Sequence, residues 1–253
     1  MAYFCFVKNI ILEQLKDSFY HADTFSRQDL LDFYQRYDPG INEGTFGWKI
    51  YELKRKHIIE NVGTGVYRLI KKGPFKPTIT PLMKQTMNII QALESKYSIW
   101  DTVWLNEFIE LQSFNSIIIL ETEKSAMESW FYQLKDRKKN VYIKPDEATV
   151  ERYVSESTET IIIKPIISRS PTVKSNKITV PTLEKILVDL FCDDKIFFAY
   201  QGRQLARIFE NSFEKYSINL SRMMNYGKRR KREEPLKEFL LKTIPDNLKT
   251  LLE

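Results

Sequence analysis

The chain has 253 residues, 43% hydrophobic and 28% charged, with 39 Lys+Arg against 33 Asp+Glu for a net charge of +6. That length supports one large or two ordinary domains with real cores, and the composition is not that of a disordered chain. Only two histidines (His21, His57) and two cysteines (Cys5, Cys192) occur, with no CxxC pair, so neither a structural zinc site nor a disulfide framework is expected, and no metal or cofactor.

The apolar start, Tyr3 to Val7, has no basic segment before it and is broken by Lys8, Glu13 and Lys16, which argues against a secretory signal. Runs such as Ile117–Leu120 are too short to span a bilayer, so a cytoplasmic protein without a membrane partner is expected. Val7, Ile10, Ile11, Leu15 and Phe19 recur at helical spacing and predict a first helix to Tyr20. Ser26, with Asp29 three residues on, predicts the cap of a second helix through Leu30, Leu31, Phe33 and Tyr34, and Asp38-Pro39-Gly40 closes it. Asn42 can cap a third helix whose inner face is Phe46, Ile50 and Leu53 and whose end carries Lys54-Arg55-Lys56. Ile58–Val62 and Val66–Ile70 around Gly63-Thr64-Gly65 predict a hairpin.

Helix, helix, turn, helix, hairpin is the order of a winged helix-turn-helix, in which the third helix enters the major groove and the hairpin meets the adjacent backbone. On that reading Thr45, Trp48 and Lys49 face the groove, with Thr45 and Lys49 near base edges. Lys56, Arg68, Lys71 and Lys72 meet phosphates, and Thr64 adds a hydroxyl at the wing tip. Residues 42–72 hold 7 basic against 3 acidic side chains, a balance that favours a polyanion. Each residue also has a plainer reading: a lysine on a helix is commonly a solvated face, and Trp48 is more often a packing residue.

Lys72-Gly73-Pro74-Phe75-Lys76-Pro77, followed by Pro81, is the expected joint. It separates a DNA-binding domain, 1–73, from a linker and connecting helix, 74–98, and an α/β domain, 99–253. Beyond it the chain predicts a helix at Leu82–Tyr97 and strands at Ser116–Leu120, Asn140–Ile143, Glu159–Ile163 and Lys177–Val180. Helices are expected at Lys124–Leu134, Glu147–Ser155, Thr182–Cys192 with Thr182 as cap, Leu205–Tyr216, Leu220–Tyr226 and Leu236–Leu241. The fold class is α+β: the winged helix-turn-helix plus a mixed α/β domain with a small sheet and several helices.

Three stretches resemble AbiEi-like antitoxins of type IV toxin–antitoxin systems. Val180-Pro181-Thr182-Leu183-Glu184-Lys185-Ile186-Leu187-Val188-Asp189-Leu190 is similar to the family's helix start after its sheet, Gly63–Leu69 to its wing, and Leu220–Arg230 to its basic C-terminal helix region. The middle, around Ile117–Lys124, looks like a divergent branch. The resemblance implies a transcriptional repressor that binds operator DNA in its own promoter and opposes a nucleotidyltransferase-like toxin.

Two alternatives remain open. Glu121-Thr122-Glu123-Lys124 after a strand, with Asp101 and Glu107 upstream, could hold magnesium in a restriction-endonuclease-like nuclease. The acid-to-lysine spacing is unlike that pattern, however, and the carboxylates can equally cap the next helix. The other alternative is a winged-helix scaffold that binds only protein. No Ser/His/Asp or Cys/His set is credible: His57 adjoins a basic run, His21 falls in a loop, and Cys192 suits a buried thiol. No catalytic residue is therefore assigned. Lys228-Arg229-Arg230-Lys231-Arg232 is the densest charge run; it reads as a second nucleic-acid contact or as a solvated helix end offset by Glu233 and Glu234. A homodimer is compatible with the fold class, but no heptad seam is visible.

Overall fold

The computed structural model describes residues 2–56, 58–90, 95–110, 115–150, 152, 157, 159–244 and 249, with side chains from residue 11. His57, the side chains of Val7 and Ile10, and the ends of the helices expected to reach Tyr97 and Ser155 thus fall at or beside positions outside the described residues. The chain is mixed α/β with small sheets. It divides into two compact units: residues 1–74 with 215–221 and 245–253, and residues 75–214 with 222–244.

In the first unit, α1 (Ala2–Phe19), α2 (Arg27–Gln35) and α3 (Glu43–Arg55) accompany a three-stranded antiparallel sheet of β1 (Phe25–Ser26), β2 (Ile59–Gly63) and β3 (Val66–Leu69), in the order β1-β3-β2. The expected caps form. Ser26 Oγ accepts from Asp29 N at 3.1 Å while Asp29 Oδ2 accepts from Ser26 N at 2.7 Å, a reciprocal capping box, and Asn42 Oδ1 accepts from Thr45 N at 2.8 Å. Leu15, Phe19, Leu30, Phe33, Phe46, Ile50, Leu53, Ile59, Tyr67 and Leu69 make one core. β1 is two residues long, too short to carry a sequence period. It exists because Phe25 stacks on Phe19 at 4.1 Å and pairs in register with Tyr67. Gly65, at φ 71°, makes the hairpin turn, where a side chain would be strained, and its carbonyl accepts from Arg27 N at 2.7 Å.

In the second unit, β4 (Tyr97–Asp101), β5 (Ser116–Thr122), β6 (Val141–Ile143) and β7 (Glu159–Pro165) form a sheet in the order β4-β5-β7-β6, with β5, β7 and β6 parallel and β4 antiparallel. α4 (Pro81–Ile90) packs on α5 (Met127–Lys135) and on β4, so these residues belong with the sheet rather than with a linker. The expected helix through Tyr97 gives way to β4 because four of that strand's five residues are buried, which erases the alternation that marks a strand. β8 (Thr172–Ser175) and β9 (Ile178–Pro181) form a hairpin turning at Asn176 and Lys177, both with positive φ, and only its second strand was expected. A one-turn α6 (Glu147–Thr149) precedes β7, and α7 (Leu183–Cys192), α8 (Arg203–Lys215), α9 (Leu220–Arg229) and α10 (Glu233–Thr243) follow it.

Strand alternation assigns the faces. Tyr97 meets Trp130 of α5 with ring centroids 6.2 Å apart, and on the opposite face Trp100 meets Phe197 at 5.7 Å while Glu121 meets Lys185 of α7. Helices and loops therefore cover both faces of the sheet. Thr182 occupies the cap position of α7, but its hydroxyl makes no capping hydrogen bond. Among the described residues no helix is long and apolar enough to cross a membrane.

Candidate nucleic-acid interface

The first candidate surface is the outer face of α3. With Phe46, Ile50 and Leu53 turned inward, the helix presents Gly44, Thr45, Trp48, Tyr51, Lys54, Arg55 and Lys56 to solvent. Trp48 and Tyr51 are 54% and 58% exposed, among the largest exposed apolar surfaces of the chain. Arg27, the first residue of α2, pairs with Glu43 at the start of α3 and lies over the Phe46 ring at 4.6 Å. With its backbone bond to Gly65, this one residue ties α2 to both the start of α3 and the hairpin turn.

The residues expected to touch a polyanion fare differently. Thr45 is exposed at the first turn, and Thr64 is exposed at the hairpin tip. Lys49 is half-buried, its ammonium 4.8 Å from the centre of the Tyr34 ring, an attraction that draws the side chain onto the ring without neutralising it. Burial, with Glu52 adding to it, pushes the Tyr34 phenol up to about 12, so that ring stays neutral. Lys56 pairs with Glu52 at 2.8 Å one turn back, and Lys71 lies 5.2 Å from the Tyr20 ring centre; Lys72 is exposed.

Arg68 departs most from its expected phosphate role. Its side chain is 17% exposed and pairs with the buried Glu60 directly across β2 and β3. A cross-strand ion pair holds the guanidinium inside the hairpin, and only a hydrogen-bond partner stronger than Glu60 would release it. Lys54 and Arg55, in contrast, are exposed and without an ion pair among the described residues. Neither they nor Tyr51 was assigned to the interface from sequence. The signal was the i, i+4, i+7, i+11 series Gly44–Trp48–Tyr51–Arg55, opposite the core stripe.

The second basic run is broken up by the fold. α9 ends where Lys231 takes φ 56°, and α10 begins two residues later. Gly227 of α9 sits so close to Leu236 of α10 that a Cβ there would come within 2.7 Å of its side chain. Lys228 lies 3.8 Å from Glu233, Arg232 packs over the Phe191 ring at 5.8 Å, and Arg230 turns inward. Arg229, Lys231 and Arg232 remain exposed without an ion pair among the described residues. A run of five cations thus leaves three unpaired.

Arg230 joins a buried network that no sequence signal marked. Its guanidinium pairs with Asp189 and, at 2.6 Å, with Asp193; Lys164 also pairs with Asp193. Lys185, wholly buried, has its ammonium 2.5 Å from Asp189 and 2.6 Å from Glu121, and the Tyr226 hydroxyl donates to Asp189 at 2.9 Å. Three carboxylates face three cations, a balance in formal charge. Burial works against the charge of Lys185, but Asp189 and Glu121 outweigh it and hold the ammonium protonated. Burial opposes the charge of Asp189 too, and there Lys185, Lys164 and Arg230 win, holding its carboxyl below the usual range. Burial pushes Glu121 up, with Lys185 pulling it down and Asp189 adding to the rise.

This geometry changes both sequence readings of Glu121 to Lys124. Glu121 is neither a cap nor an accessible metal ligand, because it lies in the core against Lys185. Glu123 starts the short turn before α5 without capping it, and its carboxylate accepts from Ser95 Oγ at 3.0 Å. Asp101 pairs in register with Ile118 and Glu121 with Ser98, so the two acids lie on opposite faces of the sheet. Asp101 is occupied by Thr80 Oγ1 at 2.7 Å, Ser116 Oγ at 2.8 Å and Val103 N at 3.1 Å. Among the described residues no group of three His, Cys, Asp or Glu side chains is placed to hold a metal ion. Burial pushes the Cys192 thiol up to about 11, which makes it a poor nucleophile.

No curated protein matches the sequence. A family model described as a family of unknown function (DUF6577) matches residues 45–246, from α3 through α10, and the chain belongs to that family.

Proposed function

We propose that the protein is a DNA-binding transcriptional regulator whose first unit is a winged helix. In this reading α3 lies in the major groove, with Thr45, Trp48 and Tyr51 toward the bases and Lys54 and Arg55 against phosphates, while the β2–β3 hairpin with Thr64 at its tip is the wing. The observation that carries it is the outer face of α3: an exposed stripe on a capped, rigidly held helix, ending in two cations that no carboxylate of the described chain neutralises. Such cations gain from releasing the counterions of a duplex, whereas Arg68, already paired, does not. The resemblance to AbiEi-like antitoxins extends the reading to an autorepressor that opposes a nucleotidyltransferase-like toxin, acting by binding and without a catalytic residue.

The test is fluorescence anisotropy of the full chain with duplex DNA from upstream of its own gene, at several salt concentrations. Saturable binding that steepens as salt falls, weakened by Arg55→Ala and Tyr51→Ala but not by Lys174→Ala, is the expected result. Binding indifferent to Arg55 and Tyr51 would remove α3 from the interface. The antitoxin half is tested by co-expressing the neighbouring gene: rescue of growth supports it, and unrelieved toxicity refutes it.

A second reading has one observation in its favour. Trp48 and Tyr51 give α3 an aromatic surface of the kind enriched at protein–protein interfaces. A chain that fails to shift any duplex yet loses a protein partner on Trp48→Ala would be a scaffold.

A further inference from the structure

The second unit carries a cleft that the DNA-binding reading does not use. It opens at the edge of the sheet where β5 and β7 end and β4 begins, and it encloses about 720 Å³, within the range of small-molecule sites. The carboxyl ends of parallel strands are where open α/β sheets present their loops to ligands, because each strand there hands over to a separate connection. Here the connections bring one cation each: Lys96 ahead of β4, Lys124 after β5 and Arg169 after β7.

None of these three cations has an ion pair among the described residues, and Arg169 is held in the turn Ile167–Ser170 at φ 55°, closed by Ser170 N donating to Ile167 O at 3.1 Å. Among the described residues Glu123 is the only carboxylate lining the cleft, and it is engaged by Ser95. The described lining therefore carries a net charge of +2, and gathering like charges in one concavity raises the potential there unless an anion is supplied. Serine and threonine hydroxyls, Ser168, Ser170 and Thr179 among them, add donors. Apolar surface lines the cleft as well: Tyr97, whose ring lies 6.2 Å from that of Trp130 and whose hydroxyl accepts from Thr179 N at 3.3 Å, together with Ile166 and Ile167.

We propose that this cleft binds a small phosphorylated ligand of nucleotide size, its phosphate held by Lys96, Lys124 and Arg169 and its organic part lying on Tyr97 and Ile166. A phosphomonoester carries close to two negative charges at neutral pH, which matches the surplus of the lining.

Isothermal titration of the full chain with each of the four common nucleoside monophosphates, with adenosine, and with inorganic phosphate tests the assignment. At least one monophosphate should bind saturably and adenosine should not. The double variant Lys124→Ala/Arg169→Ala should weaken that binding by on the order of tenfold or more, two charge-assisted contacts being lost. Lys174→Ala, an exposed cation of β8 outside the cleft, should leave it unchanged. Both cations are exposed, and an unaltered melting temperature confirms that the double variant folds. Absence of saturable binding by all four monophosphates overturns the proposal, as does binding that survives the double variant. Inorganic phosphate binding as tightly as the best monophosphate overturns the part assigned to Tyr97 and Ile166. None of these outcomes depends on whether the first unit binds DNA.

Discussion

Two helices of similar length, α3 in the first unit and α7 in the second, dispose of their charges in opposite ways. α3 buries only Phe46, Ile50 and Leu53 and leaves Lys54 and Arg55 in water with no ion pair among the described residues; α7 buries Glu184, Lys185 and Asp189 along with its leucines. In α7 each charge is met by another element: Glu184 by Arg222 at 3.4 Å, Lys185 by Glu121 of β5, and Asp189 by Arg230 beyond α9. A charge enclosed by the fold must be matched there, because the interior cannot solvate it. A charge left outside is free for a ligand. The contrast teaches that the location of a basic run says less about binding than the identity of the group that already neutralises it. Arg230 lies in the densest basic run of the chain and is consumed internally, while Arg55, in a shorter run, is available.

The sharpest way to break this contrast is Lys185→Met, which strands Glu121 and Asp189 together in the core. It should cost about 3–5 kcal/mol in urea-induced unfolding, the penalty for removing one partner of a buried ion pair, and a negligible loss would show that the network is solvated. The pH dependence sharpens the same point. Asp189, held below its ordinary value of 3.8, contributes stability that is present above that value and lost as pH falls through its depressed pKa. Glu121, raised above its ordinary 4.5, binds its proton more tightly in the folded chain, so stability declines as pH rises from 4.5 through its raised pKa. Melting temperature against pH should therefore lose its acid fall in Asp189→Asn and its decline above pH 4.5 in Glu121→Gln.

Arg68→Ala tests the buried cross-strand pair of the first unit. It should destabilise that unit by about 1–3 kcal/mol by removing the guanidinium that pairs with the buried Glu60, with DNA affinity at low denaturant unchanged; a large affinity loss without destabilisation would return Arg68 to the interface. Asn42→Ala removes the cap of α3 and should cost about 1 kcal/mol, seen as earlier loss of helical circular dichroism. The smallest change is expected for Arg55→Ala: native stability, and a slope of log affinity against log salt shallower by about one, the signature of a lost phosphate contact.

Much of the first unit was legible before any coordinates. Ser26 with Asp29, Asn42 before the Phe46–Ile50–Leu53 stripe, and Gly63-Thr64-Gly65 between β-rich runs are local signals, each acting within a few residues of backbone. The same reasoning located the main strands of the second unit but not β4 or β8. β4 is buried nearly throughout and shows no alternation, and β8 is a short, exposed strand made regular by pairing with β9. On the candidate surface, the outward face of α3 followed from periodicity, but the choice among its cations did not, since Lys49 is claimed by Tyr34 and Arg68 by Glu60. Tyr51 and Arg55 lay on the same stripe and were passed over in favour of lysines nearer the helix start.

Sequence alone therefore determined the caps at Ser26 and Asn42, the helical stripes and the hairpin turn, because each depends on neighbours along the chain. Tertiary structure alone decided which charges are spent and which are open. Glu121, Lys164, Lys185, Asp189, Asp193 and Arg230 come from a β-strand pair, a helix and the joint between two further helices, and their pairing is set by a core that must cancel every charge it encloses.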